Sequence, residues 1–512
     1  MRTFVYFLIF VIVSLSSASC RNDDKRAVVD KDSFKHLCSS DFRLSESKIR
    51  RHIADLMFED KDAQGPALSA KDYYTNNNRF LWISKGRISE DADSVVKYVS
   101  RVSDFGFSQS VFRVGIIRSD IDKARSLDFG AANINELYAR IEYNLTKAYF
   151  KYCAGQRFGY VNPRRLFNRL DVRDSDSVRV SYRELFDLPI ALPGKKFFAD
   201  AVNSVKSGDA GEFLRSSEPR NTLYFKFLEK YKHAGSAQDK MRILCNMERS
   251  RWAVADAPDK HEKYVLLNIP SQELDAVDGK HTDRMRVVFG SKETKTPLLQ
   301  SYIERMDVNP QWIIPQSIVK KSVARNAGNA AYFDAHGYFI LQRKTGKHVD
   351  PSGVTPDMLT GKDYLVIQRG GRGNAMGRIV FRFKNKFSVF LHDTSNPGLF
   401  SASDRMASHG CVRVERPFEL AVFLLADKDE DLIKKINYSI NADITVNDRD
   451  DADAERKPID GSLIVRSVKV EPKVPLFITY YTLFPDARGN MVCYPDIYGY
   501  DKVMMESLRK YM

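Results

Sequence analysis

The sequence predicts an α+β fold in which an N-terminal helical scaffold is followed by a β-rich domain. Across residues 44–250, apolar side chains recur at spacings of three and four, the period of one buried helix face. At Lys263 that period gives way to short apolar runs bounded by turn residues, as in strands. With 512 residues, of which 43% are hydrophobic, the chain is long enough for two to four packed domains.

The helical pattern is clearest between residues 134 and 152. Its apolar positions are Ile134, Leu137, Ile141, Leu145, Ala148 and Tyr152. The aromatic side chains in this stretch are expected to pack in the core rather than to form a ligand platform.

The β-rich part contains five predicted strands, one predicted helix and one predicted loop. The strands are residues 264–269, 285–289, 378–383, 387–391 and 476–484, the helix is 417–425, and the loop is 448–457. Between the strands, residues 317 to about 364 combine a polar, helix-compatible run with Gly and Pro turns. This composition predicts an insertion outside the sheet.

The N-terminus has the features of an export signal. Arg2 precedes an apolar run at residues 4–13, and small side chains follow at residues 16–19. A run of this length is too short to span a bilayer, which takes about 20 apolar residues. Residues 1–19 are therefore predicted to be a signal peptide, and the mature protein to lie outside the cytoplasm.

Cys20, directly after the small residues, resembles the cysteine that is acylated in bacterial lipoproteins. Residues 20–43 would then be a flexible linker behind a membrane anchor. Ser17 stands where that pattern usually has Leu, so cleavage after Ala18 without lipidation stays open. In either case the expected location is the periplasm of a Gram-negative bacterium.

The cysteines argue against a disulfide framework. The five after Cys20 are far apart in the sequence and form no paired spacing: Cys38, Cys153, Cys245, Cys411 and Cys493. If Cys20 is lipidated, an odd number remains, so at least one thiol is predicted to stay free in an oxidising compartment.

The net charge of +14 does not predict a nucleic-acid partner, because the basic residues are scattered among 66 acidic ones. The positive charge has two interpretations: an ordinary solvated surface of mixed charge, or a basic surface that faces an anionic polymer. No nucleotide site is predicted either, since Met376 occupies the last glycine position of the run GRGNAMG. No cofactor is expected.

A candidate site lies around Cys411, because only His392 and His409 among the nine histidines are near a cysteine in the sequence. A thiol with a pKa of about 8.5 is mostly protonated at neutral pH, so a nucleophilic cysteine needs an imidazole as base. Gly410 would let the backbone approach the reacting carbonyl closely, and adjacent amides there would form an oxyanion hole.

Two other interpretations compete at this point. In the first, the two histidines and Cys411 would be zinc ligands, although no carboxylate or second cysteine lies at the sequence spacing usual for zinc ligands. Cys411 would otherwise be a buried structural thiol. A papain-like protease is disfavoured, because there the cysteine precedes its histidine.

His392, fifteen intervening residues and the run Ser408-His409-Gly410-Cys411-Val412-Arg413 resemble the signature of L,D-transpeptidases of the YkuD type. Further segments resemble the large, YcbB-like branch of that family. They are residues 246–249 with Trp252, residues 268–270, Asn309-Pro310 with Trp312 and Pro315, residues 374–378, and residues 496–499.

The resemblance implies a helical scaffold at residues 44–250 and a β-rich YkuD-type catalytic domain at residues 251–512, with an inserted capping subdomain at about 317–364. Large members usually carry a small peptidoglycan-binding domain as well. Between Gly208 and Leu244 this sequence has neither the room nor the pattern for one.

The resemblance also assigns roles to residues of the site. Cys411 would be the nucleophile and His392 the general base, with the backbone carbonyl of Asp393 orienting the imidazole. The remaining residues would shape the oxyanion and substrate side or line the approach to it: His409, Gly410, Arg413, Ser408, Asn374 and Gly377. No metal is part of this site.

The implied reaction is a two-step acyl transfer on peptidoglycan stem peptides, which forms 3→3 cross-links through a cysteine thioester. An L,D-carboxypeptidase that uses water, a transferase that uses another amine acceptor, and a non-catalytic wall-binding lipoprotein are the alternatives. The inserted residues are predicted to form a mobile lid over Cys411, with Gly328, Gly337, Gly346 and Gly353 as hinges.

Overall fold

The computed structural model describes residues 44–84, 86–128, 133–176, 179–442 and 459–512. The predicted signal peptide, the linker with Cys20 and the loop predicted at 448–457 lie outside these residues. The chain divides into two compact units. The first comprises the chain up to residue 162 together with 190–255 and 501–512, and the second comprises 163–189 and 256–500.

The first unit is helical, as the sequence predicts. Its helices are Glu46–Glu59, Gly65–Thr75, Asp91–Ser100, Val114–Ser126, Ile134–Phe158, Lys195–Ser207, Ala210–Ser217, Thr222–Lys232 and Ala237–Arg251. Strands β1 (Ile83–Ser84) and β2 (Arg87–Ile88) form a small hairpin. None of the described helices is long and apolar enough to cross a membrane.

The helix Ile134–Phe158 is the centre of this unit. The Asn133 side chain caps its first turn by accepting a hydrogen bond from the Asn135 amide, and nearly all of its residues are buried. Tyr149 and Tyr152 have no exposed surface, so the prediction of aromatic core packing is confirmed. The helix also buries Glu142, whose carboxylate accepts hydrogen bonds from the Leu81 and Trp82 amides.

The second unit is built on a ten-stranded sheet, which completes the predicted α+β fold. Strands outside the inserted segment are β3 (Val172–Asp176), β4 (Arg179–Tyr182), β5 (Phe186–Asp187), β6 (Lys263–Asn268), β7 (Glu273–Asp278), β8 (His281–Gly290), β9 (Leu298–Val308), β14 (Ile379–Phe383), β15 (Leu391–His392), β16 (Met406–Ser408), β17 (Val412–Val414), β18 (Ser467–Thr479), β19 (Leu483–Pro485) and β20 (Met491–Cys493).

The strand order in the large sheet is β14-β15-β17-β8-β7-β6-β18-β9-β5, with β16 beside β8. Strand β14 also pairs with β9, so the sheet closes on itself. The helices of this unit are Pro163–Phe167, Pro417–Leu424 and Glu430–Asn441, whereas nearly all of the last helix, Tyr500–Leu508, belongs to the first unit. The helix predicted at 417–425 is confirmed within one residue.

Two strand predictions in this unit are wrong in extent. The strand predicted at 387–391 is reduced to Leu391–His392, because the Asn385 side chain accepts the Phe387 and Val389 amides in a turn where Ser388 has a φ of 56°. The strand predicted at 476–484 is interrupted between β18 and β19.

The inserted segment folds as a small subdomain of its own. A four-stranded sheet of order β10-β13-β11-β12 comprises Trp312–Ile313, Tyr364–Gln368, Tyr338–Gln342 and His348–Val349. Short helices Gln316–Ile318, Ala330–Ala335 and Pro356–Thr360 pack on it. Its core is Ile314, Val319, Val323, Phe333, Ile340, Val354, Leu359 and Val366. We refer to residues 312–368 as the capping subdomain.

The glycines proposed as hinges all lie inside the capping subdomain rather than at its ends. Gly328, Gly337 and Gly346 have positive φ angles and belong to its internal turns. At the exit, Gly370 lies against Asn309, since a Cβ on Gly370 would approach the Asn309 carbonyl oxygen to 2.3 Å. The two ends of the subdomain are therefore adjacent in space.

A single boundary at residue 250 would assign two segments to a different unit from the one in which they lie. Residues 163–189 join the second unit, where Phe186 pairs with Leu298 in a parallel β5–β9 ladder. Residues 501–512 join the first unit, where the Tyr511 hydroxyl donates to Gln64 at 2.6 Å. Contacts between residues this far apart in the chain leave no pattern in the local sequence.

Candidate active site

Strands β15 and β17 bring the two central site residues to neighbouring positions. The strands are parallel, with His392 in register with Arg413, and the Val412 amide donates to the Phe390 carbonyl at 2.9 Å. Cys411 directly precedes β17 and is two residues from Arg413, so its side chain falls on the same face as those of Arg413 and His392. The thiol is half-buried, and its Sγ lies 4.0 Å from the Ser388 carbonyl oxygen.

Burial raises the pKa of the Cys411 thiol above its ordinary value. The Phe390 backbone amide and the positive charges of Arg413 and Arg382 act in the opposite direction, without cancelling the effect of burial. The thiol is therefore protonated at neutral pH, and its attack on a carbonyl needs a base.

His392 has the properties of that base. Its ring is 3% exposed, and its Nδ1 lies 2.5 Å from the backbone carbonyl oxygen of Asp393. Because a carbonyl oxygen only accepts hydrogen bonds, the Nδ1 that faces Asp393 carries the proton, and Nε2 is the unprotonated nitrogen of the neutral ring. The backbone of Met376 also forms a hydrogen bond with the ring. Burial, with a contribution from the Arg413 charge, lowers the pKa of His392 to about 4. The ring is neutral at pH 7 and able to accept a proton.

Asp393 is fixed in place by the backbone around it. Its carboxylate accepts the amides of Arg378 and Thr394, each at 2.7 Å, and its own amide donates to Ile379 at 2.9 Å. Burial raises the pKa of this carboxyl group. Gly377 packs against it, with a φ of 66° and no room for a side chain, since a Cβ would lie 2.4 Å from the Asp393 Cβ.

The turn that presents Cys411 is held by hydroxyl groups. Ser408 is buried, and its Oγ donates to the Cys411 carbonyl at 2.5 Å while accepting the Gly410 amide at 3.1 Å. Gly410 has a φ of 115°, which L-residues rarely adopt. Thr294 donates to the Ser408 carbonyl at 2.8 Å, and Thr296 donates to the Gly410 carbonyl at 2.9 Å.

The two threonines were not anticipated from the sequence. They lie on the connection between β8 and β9, more than a hundred residues before Cys411, and nothing in their local sequence marks them. Their place near the site follows only from the pairing of β17 and β16 with β8.

Arg413 and His409 occupy different environments. Burial lowers the pKa of the Arg413 guanidinium, whose Nη1 donates to the Ala407 carbonyl at 3.4 Å. Its Nε is buried and has no hydrogen-bond partner among the described residues. The His409 side chain is exposed to solvent. Arg413 is thus built into the site, while His409 lies at its surface.

A cavity of about 370 Å³ lies next to the loop that follows His392. Most of the residues that line it are polar residues or glycines. The lining residues are Gly371, Arg372, Gly373, Asn374, Gly377, Arg378, Ile379, Asp393, Thr394, Ser395, Pro417, Ile440 and Asn441. Asn374 and Gly377 are therefore next to Asp393, whereas Cys411 and His392 do not line this cavity. A substrate-binding role for Asn374 and Gly377 stays a prediction.

The Asn374 side chain also organises its own loop. Its amide group donates to the carbonyls of Arg369 at 2.8 Å and Pro310 at 3.1 Å, and its Oδ1 accepts the Met376 amide at 2.8 Å. These bonds tie the exit of the capping subdomain to its entry.

The described residues contain no group of three or more His, Cys, Asp or Glu side chains placed to hold a metal ion. Among them, Cys153, Cys245, Cys411 and Cys493 are all free thiols. The prediction of a free thiol is confirmed for these positions.

Comparison with known proteins gives matches for both parts of the chain. The family model YkuD, described as an L,D-transpeptidase catalytic domain, matches residues 262–436, which include the whole site. A model described as a scaffold domain matches residues 68–230. A curated protein of Haemophilus influenzae (strain ATCC 51907 / DSM 11121 / KW20 / Rd), named "Putative L,D-transpeptidase", is 26% identical over 303 residues. That match covers 59% of this chain and 57% of the relative's length.

Proposed function

We propose that this protein, which carries a YkuD-type L,D-transpeptidase catalytic domain and a scaffold domain, forms 3→3 cross-links between peptidoglycan stem peptides. One observation carries the proposal. A protonated thiol and a neutral, oriented imidazole lie on one face of two neighbouring strands. Beside them is Arg413, whose buried Nε has no hydrogen-bond partner in the described part of the chain. This set of groups suits covalent acyl transfer.

In the first step, Cys411 attacks the carbonyl of the third residue in a tetrapeptide stem. The thiol proton passes to Nε2 of His392, a C–S bond forms, and the C–N bond to the terminal D-Ala breaks. His392 then gives the proton to the departing amine. The hydrogen bond from Nδ1 to Asp393 keeps the imidazole in the required tautomer throughout.

In the second step, the side-chain amine of a third-position diamino acid in another stem attacks the thioester. A new C–N bond forms, the C–S bond breaks, and the amine proton returns through His392 to the thiolate. One amide is exchanged for another, so the reaction needs no ATP.

The oxyanion of each tetrahedral intermediate would lie near the turn at 408–411. In the resting structure the Gly410 amide donates to Ser408 Oγ, so the neighbouring Cys411 amide is the more available donor of the two. Arg413, with its lowered pKa and unpartnered Nε, would supply positive charge on the same side.

The positions of the remaining site residues suggest how they would contact the substrate. His409 is exposed beside Cys411 and would contact the incoming peptide. Asn374 and Gly377 line the cavity next to Asp393, where they would flank a stem peptide approaching the base. The capping subdomain would act as a lid that excludes water from the thioester.

Export and anchoring are part of the proposal. Residues 1–19 would direct the chain out of the cytoplasm, and acylated Cys20 would anchor it at a membrane facing the wall. Labelling of cells with a radioactive fatty acid tests this: the wild type should be labelled and Cys20→Ala should not. Equal labelling of both would contradict lipidation at Cys20.

The reaction is tested by incubating the purified protein with defined tetrapeptide muropeptides and weighing the products. We expect a dimer whose mass equals two tetrapeptide units minus one alanine, absent in Cys411→Ala and present in Cys493→Ala. Tripeptide without dimer would indicate an L,D-carboxypeptidase. Binding without any release of D-Ala would indicate a non-catalytic wall-binding protein.

A further inference from the structure

A second arginine, Arg382, lies on the same sheet face as the site. In the antiparallel β14–β15 pair, Val380 is opposite His392 and Phe381 is opposite Leu391. Since side chains alternate along a strand, Arg382 projects from the same face as Val380 and His392. The Phe390 ring is next to it, with the Arg382 Cζ 4.6 Å from the ring centroid.

The guanidinium of Arg382 is fixed from two sides. The Phe390 ring covers one side of it, and its Nε donates to Asp307 Oδ2 at 2.7 Å. The side chains of Arg382 and Asp307 are 27% and 16% exposed. An arginine held in this way loses little conformational entropy when it acts on a neighbour, because its rotamer is already set.

Phe390 connects this arginine to the nucleophile. Its ring packs under Arg382, while its backbone amide faces the Cys411 sulfur and its carbonyl accepts the Val412 amide at 2.9 Å. The positive charge of Arg382 acts on both reacting groups, lowering the pKa of Cys411 and that of His392.

We propose that Arg382 is a positioning residue of this site, which stabilises the Cys411 thiolate and favours the neutral form of His392 through its clamped positive charge. The proposal rests on the proposed function in one respect, namely that Cys411 is the nucleophile. It extends that function, because Arg382 lies outside the run of residues from 392 to 413 that marks the site in the sequence.

Among the described residues, Arg413 and Arg382 are the two cations whose charges act on the Cys411 thiol. Arg382 lies on β14, and Asp307 on β9 is its counter-ion. Asp307 also accepts from Arg305 Nε at 2.9 Å, and Lys469 on β18 lies opposite Arg305. Because Asp307 is shared between two arginines, it only partly neutralises Arg382.

Arg305 provides a matched control. It binds the other oxygen of the same carboxylate, yet it lies one strand further from Cys411, and its side chain is 54% exposed. Solvent should screen its charge from the thiol much more strongly than that of Arg382.

The test is the rate at which iodoacetamide alkylates Cys411 between pH 5 and 10, followed in the full-length protein by mass spectrometry of the Cys411 peptide. This readout does not require transpeptidase activity, so it can succeed or fail independently of the proposed reaction. The variants are Arg382→Gln, Arg382→Met, Arg382→Lys and Arg305→Gln. Met preserves packing on Phe390 without charge, and Lys preserves the charge without the planar group.

We expect both neutral variants to slow alkylation at pH 7 by about three- to tenfold and to raise the pH midpoint by about 0.5 to 1, as loss of a partly buried cation predicts. Arg382→Lys should retain at least half of the wild-type rate. Arg305→Gln should stay within about twofold of the wild type.

Three results would overturn the proposal. One is an unchanged pH midpoint in a folded neutral variant, and another is equal loss in Arg382→Lys and Arg382→Gln, which would make packing rather than charge decisive. The third is failure of both neutral variants to fold, which would assign Arg382 to the stability of the sheet.

Discussion

Gly377 lies directly against Asp393, so that a Cβ on Gly377 would come within 2.4 Å of the Asp393 Cβ and 2.6 Å of its carbonyl carbon. The backbone carbonyl oxygen of Asp393 accepts a hydrogen bond from His392 Nδ1, and the two atoms are 2.5 Å apart. Gly377 therefore constrains the position of the His392 imidazole through Asp393.

Replacing Gly377 with Ala should displace the Asp393 loop and with it the imidazole. We expect the free energy of unfolding to fall by about 1 to 3 kcal/mol and the acylation rate to fall at least tenfold. Gly337→Ala is the matched control, because Gly337 has a φ of 64° and a Cβ added there would meet no atom within 4 Å. Thermal unfolding and single-turnover acylation measure the two effects, and equal behaviour of both variants would refute a positional role for Gly377.

His392→Asn should separate orientation from base catalysis, because Asn retains a donor toward Asp393 but has no equivalent of Nε2. The acylation rate at pH 7 should fall by about two to four powers of ten and recover at high pH, where the thiol ionises unaided. His409→Ala should cost much less, since that side chain is exposed. Persistently low rates at high pH would give His392 a structural role instead.

The wild-type pH profile follows from the same residue. Because the pKa of His392 is lowered to about 4, the base stays neutral through the weakly acidic range and is protonated only near that value. Acylation should therefore persist at pH 5.5 and decline toward pH 4. A decline centred near pH 6.5, the ordinary pKa of histidine, would contradict the buried environment of the ring.

Glu142 gives a pH dependence of stability in the helical unit. Its burial raises the pKa of the carboxyl group from 4.5 to about 7, so the folded state binds a proton more tightly than the unfolded state. Its contribution is fully present below pH 4.5 and is lost as the pH rises through about 7, a change on the order of 3 kcal/mol.

Glu142→Gln should remove that dependence. The difference in unfolding free energy between the wild type and this variant should shift in favour of the variant between pH 5 and pH 8, as measured by urea unfolding. Lys196→Gln, which removes one member of an exposed pair in a helix of the same unit, is a control for general charge effects. A difference that does not change with pH would contradict the raised pKa.

Excision of the capping subdomain tests its proposed role as a lid. Because Gly370 lies against Asn309, a short Gly-Ser linker in place of residues 311–368 should close the gap without straining the main sheet. Removing part of the segment would instead expose its own core. We expect hydrolysis to rise relative to cross-linking, because water gains access to the thioester. An unchanged product ratio in a folded, active variant would contradict the lid.

The sequence was most informative where the site residues are close together along the chain. His392 and the run from Ser408 to Arg413 form a local motif, and the structure pairs His392 on β15 with Arg413 on β17. The long helix around Ile141 was equally predictable, because its apolar period is repeated over many residues.

Long-range pairing explains what the sequence did not predict. Thr294 and Thr296 support the Cys411 turn only because β8 lies beside β17, and Arg382 gains its neighbours only when β14 pairs with both β15 and β9. The strand predicted at 387–391 is too long for a local reason, since the Asn385 side chain accepts hydrogen bonds from the Phe387 and Val389 amides.

The most direct test of the central claim is to mix the full-length protein with a tetrapeptide donor, quench the reaction with acid within seconds, and map the adduct by peptide mass spectrometry. We expect an adduct of donor mass minus alanine on the Cys411 peptide, absent in Cys411→Ala and unaffected in Cys493→Ala. An adduct on another residue, or release of D-Ala by Cys411→Ala at the wild-type rate, would contradict it.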